Sequence, residues 1–419
     1  MDFRIVLKIV RDCIRWDRVT YPHADVLTVA HDNDRSLLHE GRWYSPLIDT
    51  LEDDMRQRGL TCISVARIIS RIKGALSYGK AFSPEGAFAR ALVAKRLKGL
   101  LWRRCYPYSH MEENIWGRIL DVSGVRRVIA IQPSRELCVA CRQRGIWVAD
   151  IQHGVIGDSH TWYGESFRGD DRVDYLPHAF LCWDHGSKQV IARWAQAKGV
   201  ETIVTGNRWV ARFLEPRLED TLVSELMETY RACNINPEGK PTILVALSWG
   251  AVHIPNGFMV DSLRDVIRQT SDRYYWFVRL HPNQLNGFAT HEGPKFRRYF
   301  EENLKGHIEW EYATRLPLPL VLSQVDLVIS WNSSVSVEAA QMGRPTCLLD
   351  PRLQPGGDWQ DLYEYYKNLG MIHLIQPTYA AIFEAIEKFG NKKKSAENFQ
   401  PYNAEYEKLL QFLAKDDTP

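Results

Sequence analysis

The sequence predicts an α/β protein built of two Rossmann-like, doubly wound domains that face a cleft. Three observations lead there. At 419 residues the chain is too long for one ordinary hydrophobic core. Short apolar runs alternate with stretches of helical periodicity, the signature of parallel sheets wrapped by helices. A polar span from Glu215 to Lys240, carrying Pro216, Pro237 and Gly239, divides the chain. The expected layout is a first domain over 1–214, a linker over 215–240, a second domain over 241–395, and a polar tail with a helix over 396–419.

The second half gives the clearer pattern. Thr242 to Leu247 and Tyr274 to Leu280 read as buried strands, with helical spacing between them from Asn256 to Thr270. Leu316 to Gln324 reads as a short helix. Asp326 to Asp350 reads as strand, polar turn, helix, turn and strand, one βαβ unit. Met371 to Ile375 and Tyr379 to Phe389 complete the half as strand and helix. In the first half, Arg127–Ile131, Ile146–Ile151, Ala179–Trp183 and Thr202–Thr205 are the expected strands. Helices are expected over Ser134–Arg144 and Ser187–Lys198, and a last one over Ala404–Lys415. Residues 1–120 show no element that the pattern names.

Ligands of doubly wound sheets bind beyond the carboxyl ends of the strands, so the turns there are the candidate site. The turn Gln152-His153-Gly154 sets an imidazole at a strand end, followed by a glycine that lets the backbone turn sharply. Such a histidine deprotonates a hydroxyl or bonds a phosphate; the competing reading is that it only fixes the turn. At Arg279-Leu280-His281-Pro282-Asn283-Gln284, Arg279 and His281 alternate with Leu280 and so share a side of the strand. Two donors there suit a phosphate, against a structural arginine and a surface histidine. In Asp326–Asp350, Ser333 and Ser334 stand where a helix begins, placed to cap it and to donate to an anion. Glu338 follows Ser334 by one turn and reaches toward a hydroxyl such as that of a ribose. Thr205-Gly206-Asn207 and Ser248-Trp249-Gly250 are strand-end turns that line the cleft or merely reverse the chain.

Composition excludes several classes. No apolar run approaches the length of a membrane span, and the charged N-terminus lacks a signal-peptide core. The eight cysteines are scattered, as for reduced thiols in the cytoplasm, and Cys138 and Cys141 read as two helix residues rather than a metal or redox pair. No phosphate-loop, dinucleotide-binding or hydrolase-elbow motif is present, and no cluster has metal-ligand spacing. A net charge of +2 hides one asymmetry. Between Arg67 and Arg104 ten Lys/Arg face a single acid, Glu85. That stretch is either a solvated basic face or a contact with anionic lipid; no nucleic-acid motif accompanies it.

The turns at 152–154, 279–284 and 333–345 (SSVSVEAAQMGRP), with FLCWDHGSKQ…VETIVTGNRW before the linker, resemble the GT-B-fold glycosyltransferases of bacterial surface-polysaccharide assembly. The likeness covers about residues 125–350. The HP turn and the double serine are similar to those of CMP-sugar transferases such as the sialyl- and Kdo-transferases, and more loosely to CDP-glycerol glycerophosphotransferases. The resemblance implies a metal-independent enzyme without cofactor that moves a sugar, Kdo or a related acid sugar from a CMP donor as first guess, onto a polysaccharide or lipopolysaccharide acceptor carried by a lipid. It implies a cytoplasmic protein at the inner face of the membrane. Arg279, His281, Asn332, Ser333, Ser334 and Glu338 would hold the donor, with Gln152, Gly154, Asn207 and Ser248 lining the cleft. Asp158, His153 and Glu165, in that order, are the candidates for the base. The acidic pair that carries the base in the sialyltransferases is followed there by Gly; here Asp170-Asp171 precedes Arg172. The glycerophosphotransferases typically have Trp before the HG, where this chain has Gln152. A CDP-alditol phosphotransferase, a UDP- or GDP-sugar transferase, and a non-catalytic nucleotide-binding partner of an assembly complex are the alternatives; a sugar-nucleotide 2-epimerase shares the two-domain shape and needs acids around the cleft that the sequence does not place.

Overall fold

The computed structural model describes residues 21–66, 70, 72–102, 108–158, 162–248, 254, 257, 259–281, 284, 292–390 and 402–415. It divides into two compact units. The first comprises Met1–His153, Thr161–Gly206 and Tyr402–Pro419; the second comprises Gly154–His160 and Asn207–Pro401. Each is a parallel sheet wrapped by helices, so the doubly wound α/β class expected from the sequence, that of the GT-B fold, is the class observed. Half of the expected linker is the helix Thr221–Cys233, and the span falls in the second unit. Pro282, Asn283, Trp249 and Gly250 lie outside the described residues, as do Arg67, Arg71, Arg103, Arg104 and the Lys392–Lys394 run.

The first unit holds β1 (Val26–Ala30), a small antiparallel hairpin β2 (Leu37–His39) and β3 (Arg42–Tyr44), then β4 (Cys62–Ala66), β5 (Arg127–Ala130), β6 (Trp147–Ile151), β7 (Ala179–Cys182) and β8 (Glu201–Val204). The main sheet runs β4-β1-β5-β6-β7-β8, all parallel. Strand β1 is buried along its whole length, and its alternation sorts residues between two cores. Leu27 and Val29 pack with Phe88, Trp116, Ile119 and Leu137 on one face. Val26 and Ala30 pack with Ile48, Leu51 and Met55 on the other, where Tyr406, Leu409, Leu410 and Leu413 also lie. Those last four come from the C-terminal helix Asn403–Ala414, which closes a face begun near residue 26. Tyr406 fixes it further by donating its hydroxyl to Asp54 Oδ2 at 2.8 Å.

The second unit holds β9 (Thr242–Ala246), β10 (Tyr275–Arg279), β11 (Leu327–Ser330), β12 (Thr346–Leu348) and β13 (Ile372–Leu374). Their order is β10-β9-β11-β12-β13, again all parallel. From β9 the chain adds β10 on one side and then crosses to add β11 on the other, so the winding reverses between β9 and β11. Ile243, Val245 and Leu247 meet helix Asp261–Thr270 through Leu263, Val266 and Ile267, and helix Tyr379–Phe389 through Ile382, Ile386 and Phe389. The helix expected from Asn256 begins at Asp261, where Val260 is extended and starts the turn. No helix among the described residues is long and apolar enough to cross a membrane.

Replacing Leu410 by Ala removes a fully buried side chain from the first unit's core and should cost about 2–5 kcal/mol. Gln411→Ala, on the exposed face of the same helix, should be nearly neutral. Urea unfolding followed by circular dichroism measures both.

Candidate functional site

At the second unit's reversal point, β9 and β11 end in turns that brace each other. Ser330 Oγ donates to the Ala246 carbonyl at 2.9 Å, and Ser248 Oγ donates to the Asn332 carbonyl at 2.9 Å. Asn332 is held from two further sides. Its Oδ1 accepts the Tyr363 hydroxyl at 2.7 Å, and its Nδ2 lies 3.5 Å from Asp350 Oδ2. Tyr363 itself is buried with φ of 63°, a conformation that few residues other than glycine adopt. Asp350, at the end of β12, is buried and gripped by the Arg352 guanidinium at 3.0 and 2.5 Å; Arg352 in turn lies 3.7 Å over the Trp359 ring. Ser248 and Asn332 thus shape the turn through which β11 passes into its helix.

The helix Val335–Gln341 follows that turn. Both serines are expected to cap it, but only Ser333 does so with its side chain, its Oγ accepting from Val335 N at 3.4 Å. Ser334 already has helical dihedrals, so its side chain is not aimed at the first turn, and its hydroxyl makes no hydrogen bond among the described residues. The Ser333 and Ser334 carbonyls accept the N–H groups of Ser336 and Val337 at 3.0 and 2.9 Å. The turn therefore ends in a rigid ledge with one uncommitted hydroxyl.

Behind the ledge stands an acid–base pair that burial has retuned. Glu338 is the first: burial pushes its carboxyl up to about 7, against the opposing pull of Arg279 and of the neighbouring Asn207 amide. Asn207 Oδ1 accepts from Val210 N at 3.3 Å and so caps the helix Arg208–Leu214. Arg279 is not the open phosphate donor that the alternation at 279–281 suggests. Its Nη1 donates to the carbonyls of Ala313 and Leu316, the latter at 2.7 Å, which ties it to the end of helix Glu311–Arg315. Burial lowers it to about 10, and Glu338 opposes that shift. His281 is brought down to about 4 by burial first and then by the Arg279 charge. It is a neutral imidazole at pH 7, a hydrogen-bonding group rather than a cation. Its backbone N–H donates to Gln284 Oε1 at 2.8 Å, and the buried Gln284 returns its own N–H to the His281 carbonyl at 2.9 Å. With β9 between them, β10 and β11 run about 10 Å apart on the strand-spacing scale, His281 following the one and Ser333–Ser334 the other.

In the first unit the end of β6 is fixed residue by residue. Asp150 is fully buried and accepts from Gln132 N and Trp162 Nε1, both at 3.0 Å. Gln152 accepts from Trp183 N at 2.7 Å and donates to Ser187 Oγ at 3.1 Å, so it organises strand ends instead of facing a ligand. His153 is half-buried, and a 2.6 Å hydrogen bond joins its Nδ1 to the hydroxyl of the buried Tyr163. That bond fixes the ring, as a base must be fixed to act on one proton. Gly154 opens the segment that belongs to the second unit, where a Cβ on Gly157 would overlap the Leu362 side chain. Asp158 is exposed in that segment, and Glu165 is exposed at the start of the short helix Glu165–Arg168 of the first unit. Asp171 is committed to ion pairs with Arg135 at 2.5 Å and Arg168 at 3.1 Å. Cys138 and Cys141 are buried free thiols in helix Arg135–Arg142.

Sequence reasoning passed over Tyr163, Tyr363 and Asp350. An acid that ends an apolar strand and precedes a proline, as Asp350 does, is the one signal that was available; the two tyrosines have no local signature.

No protein-family profile matches this chain, and no curated protein matches it. Solved structures do, at the level of the fold. The UDP-GlcNAc 2-epimerase of Neisseria meningitidis, determined bound to UDP-GlcNAc, is 16% identical with a TM-score of 0.55, over 93% of this chain and 100% of that one. The UDP-GlcNAc 2-epimerase of Methanocaldococcus jannaschii is 12% identical, TM-score 0.55, over 93% and 98%. The wall teichoic acid polymerase TagF is 13% identical, TM-score 0.55, over 98% and 95%. A histidine-to-asparagine variant of that polymerase was soaked with CDPG. At these identities the likeness establishes the shared fold alone.

Because its folded-state carboxyl titrates near 7 rather than near 4.5, Glu338 favours the folded state fully below pH 4.5, and that contribution is lost as pH rises through about 7. Chemical denaturation from pH 4 to 8.5, a range set by those two values, should show wild type losing stability against Glu338→Gln across this window. Parallel curves would mean that the carboxyl is not buried as described.

Proposed function

We propose that the chain is a metal-independent transferase that takes a nucleotide-activated sugar and passes the sugar to a bacterial surface-polysaccharide or lipopolysaccharide acceptor. The observation that carries this reading is the reversal point between β9 and β11. Ser333, Ser334 and Glu338 follow β11 and His281 follows β10, at the edge where doubly wound sheets take nucleotides, which supports this reading. Support comes from the shared fold: the epimerase of Neisseria was determined with UDP-GlcNAc, and TagF is a wall teichoic acid polymerase.

In this reading the donor phosphate rests on the Ser333–Ser334 ledge, with the free Ser334 hydroxyl and the neutral His281 imidazole donating to it. Glu338 accepts a ribose hydroxyl, which favours its ionised form. Arg279 acts behind the site, lowering His281 and holding Glu338. His153 acts as the base, its ring set by Tyr163; Asp158 and Glu165, exposed and less constrained, stand after it. The base takes the acceptor hydroxyl proton. The acceptor oxygen bonds to the anomeric carbon as that carbon's bond to the phosphate oxygen breaks, and the nucleotide leaves with the electron pair. Hydrogen-bond donors aimed at the departing phosphate stabilise that charge without a metal. A CMP-linked acid sugar such as Kdo is the first donor to try. A CDP-alditol, attacked at phosphorus with CMP as leaving group, is the second reading, favoured by the likeness to TagF over 98% of this chain.

Thermal stabilisation by CMP or CDP, but not UDP or GDP, is the expected outcome. Transfer from CDP-glycerol instead of CMP-Kdo would move the assignment to the second reading, and a UDP response would favour a UDP-sugar enzyme. Stabilisation without turnover on any acceptor would make the chain a nucleotide-binding partner. His281→Ala should abolish the nucleotide response, and an unchanged response would overturn the donor site. His153→Ala should lower kcat about 10²–10⁴-fold with donor binding retained. Treatment with EDTA should leave turnover unchanged.

A further inference from the structure

The turn after β11 is held from behind by the loop Asp350–Tyr363. Asp350 N donates to the Trp331 carbonyl at 3.1 Å, and the Tyr363 hydroxyl donates to Asn332 Oδ1 at 2.7 Å. Asn332 Nδ2 faces Asp350 Oδ2, so both ends of the Asn332 amide are turned to this loop. The loop is itself stiff. Arg352 N donates to Asp350 Oδ1 at 3.0 Å, and Trp359 N donates to the Arg352 carbonyl at 2.9 Å. A Cβ on Gly357 would overlap the Arg352 backbone. Tyr363, 3% exposed, sits at φ of 63°, a conformation that a tyrosine keeps only where its surroundings impose it. A distant stretch of sequence packs beside it. Residues Gly154–His160 are part of the second unit, and there the buried Gly157 lies against Leu362 and Asp361. A Cβ on Gly157 would overlap the Leu362 side chain and stand 2.9 Å from Asp361 Oδ2.

We propose that Gly157 and Tyr363 are positioning residues for the turn that carries the Ser333–Ser334 ledge. Gly157 seats Leu362, the seated loop holds Tyr363 in its left-handed conformation, and the Tyr363 hydroxyl fixes Asn332. Core filling needs neither the strain nor the hydroxyl, since a phenylalanine on relaxed backbone would occupy the same volume. The glycine is not explained by turn geometry either. Gly157 lacks the left-handed φ that commonly calls for glycine, so what it supplies is room for a close approach. In this view Asn332 shapes the donor site without touching the donor. The functional consequence rests on the donor reading; the geometry does not.

The test is amide exchange on the full chain without ligand, read by mass spectrometry over residues 331–337. In wild type the Ser336 and Val337 amides, bonded to the Ser333 and Ser334 carbonyls, should exchange slowly. Tyr363→Phe keeps the ring and removes only the hydroxyl, and loss of that bond should speed exchange there about fivefold to tenfold. Gly157→Ala should speed it as well, by displacing Leu362. Adding Leu362→Ala to Gly157→Ala should slow it again, because the new methyl then has space. Exchange in the C-terminal helix Asn403–Ala414 of the first unit should be the same in all of these. CMP binding by the same variants should weaken and recover in parallel. Unchanged exchange at 331–337 in Tyr363→Phe overturns the proposal, and so does faster exchange spread evenly over the second unit, which would make Tyr363 a core residue only. A wild type that binds no nucleotide would sink the donor reading, while the exchange comparison still decides this one.

Discussion

The candidate donor site depends on the burial of β9. The strand is sealed on both faces and paired on both edges, to β10 from Tyr275↔Thr242 and to β11 from Leu327↔Ile243. A parallel strand in that position has no room for polar side chains along its length, so its chemistry must appear where it ends. The ladder then fixes which ends meet. Ala246 pairs with Arg279 on one side and Ser330 on the other, so the turns beyond them emerge level with one another. Ser248 and Ser330 convert that alignment into side-chain bonds between neighbouring turns, and the ledge at Ser333–Ser334 inherits its position from them.

Burial also decides the charge state of the site. Arg279 is a buried cation at its base, and its Nη1 is committed to the Ala313 and Leu316 carbonyls. Its charge is felt at a distance, lowering His281 and favouring ionised Glu338. His281 is consequently neutral and Glu338 near its midpoint at physiological pH, so in the proposed donor site they would act through directed hydrogen bonds. Such a site is less sensitive to ionic strength than one built on exposed cations, because its electrostatics lie below the solvent boundary.

Much of this was legible from residue order. Strands β5 to β13 announce themselves as apolar runs, and the reversal point carries its serines in plain view. The illegible parts share a cause, which is that long-range packing overrides local pattern. Helix Ile48–Gln57 buries Asp49, Glu52 and Asp54 beside its apolar residues, which no local pattern announces. Arg35 makes that burial tolerable by pairing with Asp49 at 2.8 Å, and Arg35 lies fourteen positions away. Helix Glu85–Trp102 is apolar on more than one face and so shows little periodicity. At 279–281 the alternation correctly sets Arg279 and His281 at a strand end. It is blind to Ala313 and Leu316, whose carbonyls claim the arginine from another part of the chain. Tyr163 escapes for the same reason, since its role exists only once ten residues of chain have folded back on His153.

The C-terminal helix that closes the first unit bears on how the protein is made. Strands β1, β5, β6 and β7 leave the ribosome early, yet the apolar face formed by Val26, Ala30, Ile129, Ala149 and Leu181 lacks Leu409, Leu410 and Leu413 until the second unit has been synthesised. The nascent first unit must therefore hold an unfinished, sticky surface while the entire second unit is translated and folds. Truncation within the second unit would leave that surface bare, the kind of exposed apolar area that favours aggregation. The first unit's second core therefore closes only after the second unit has been synthesised.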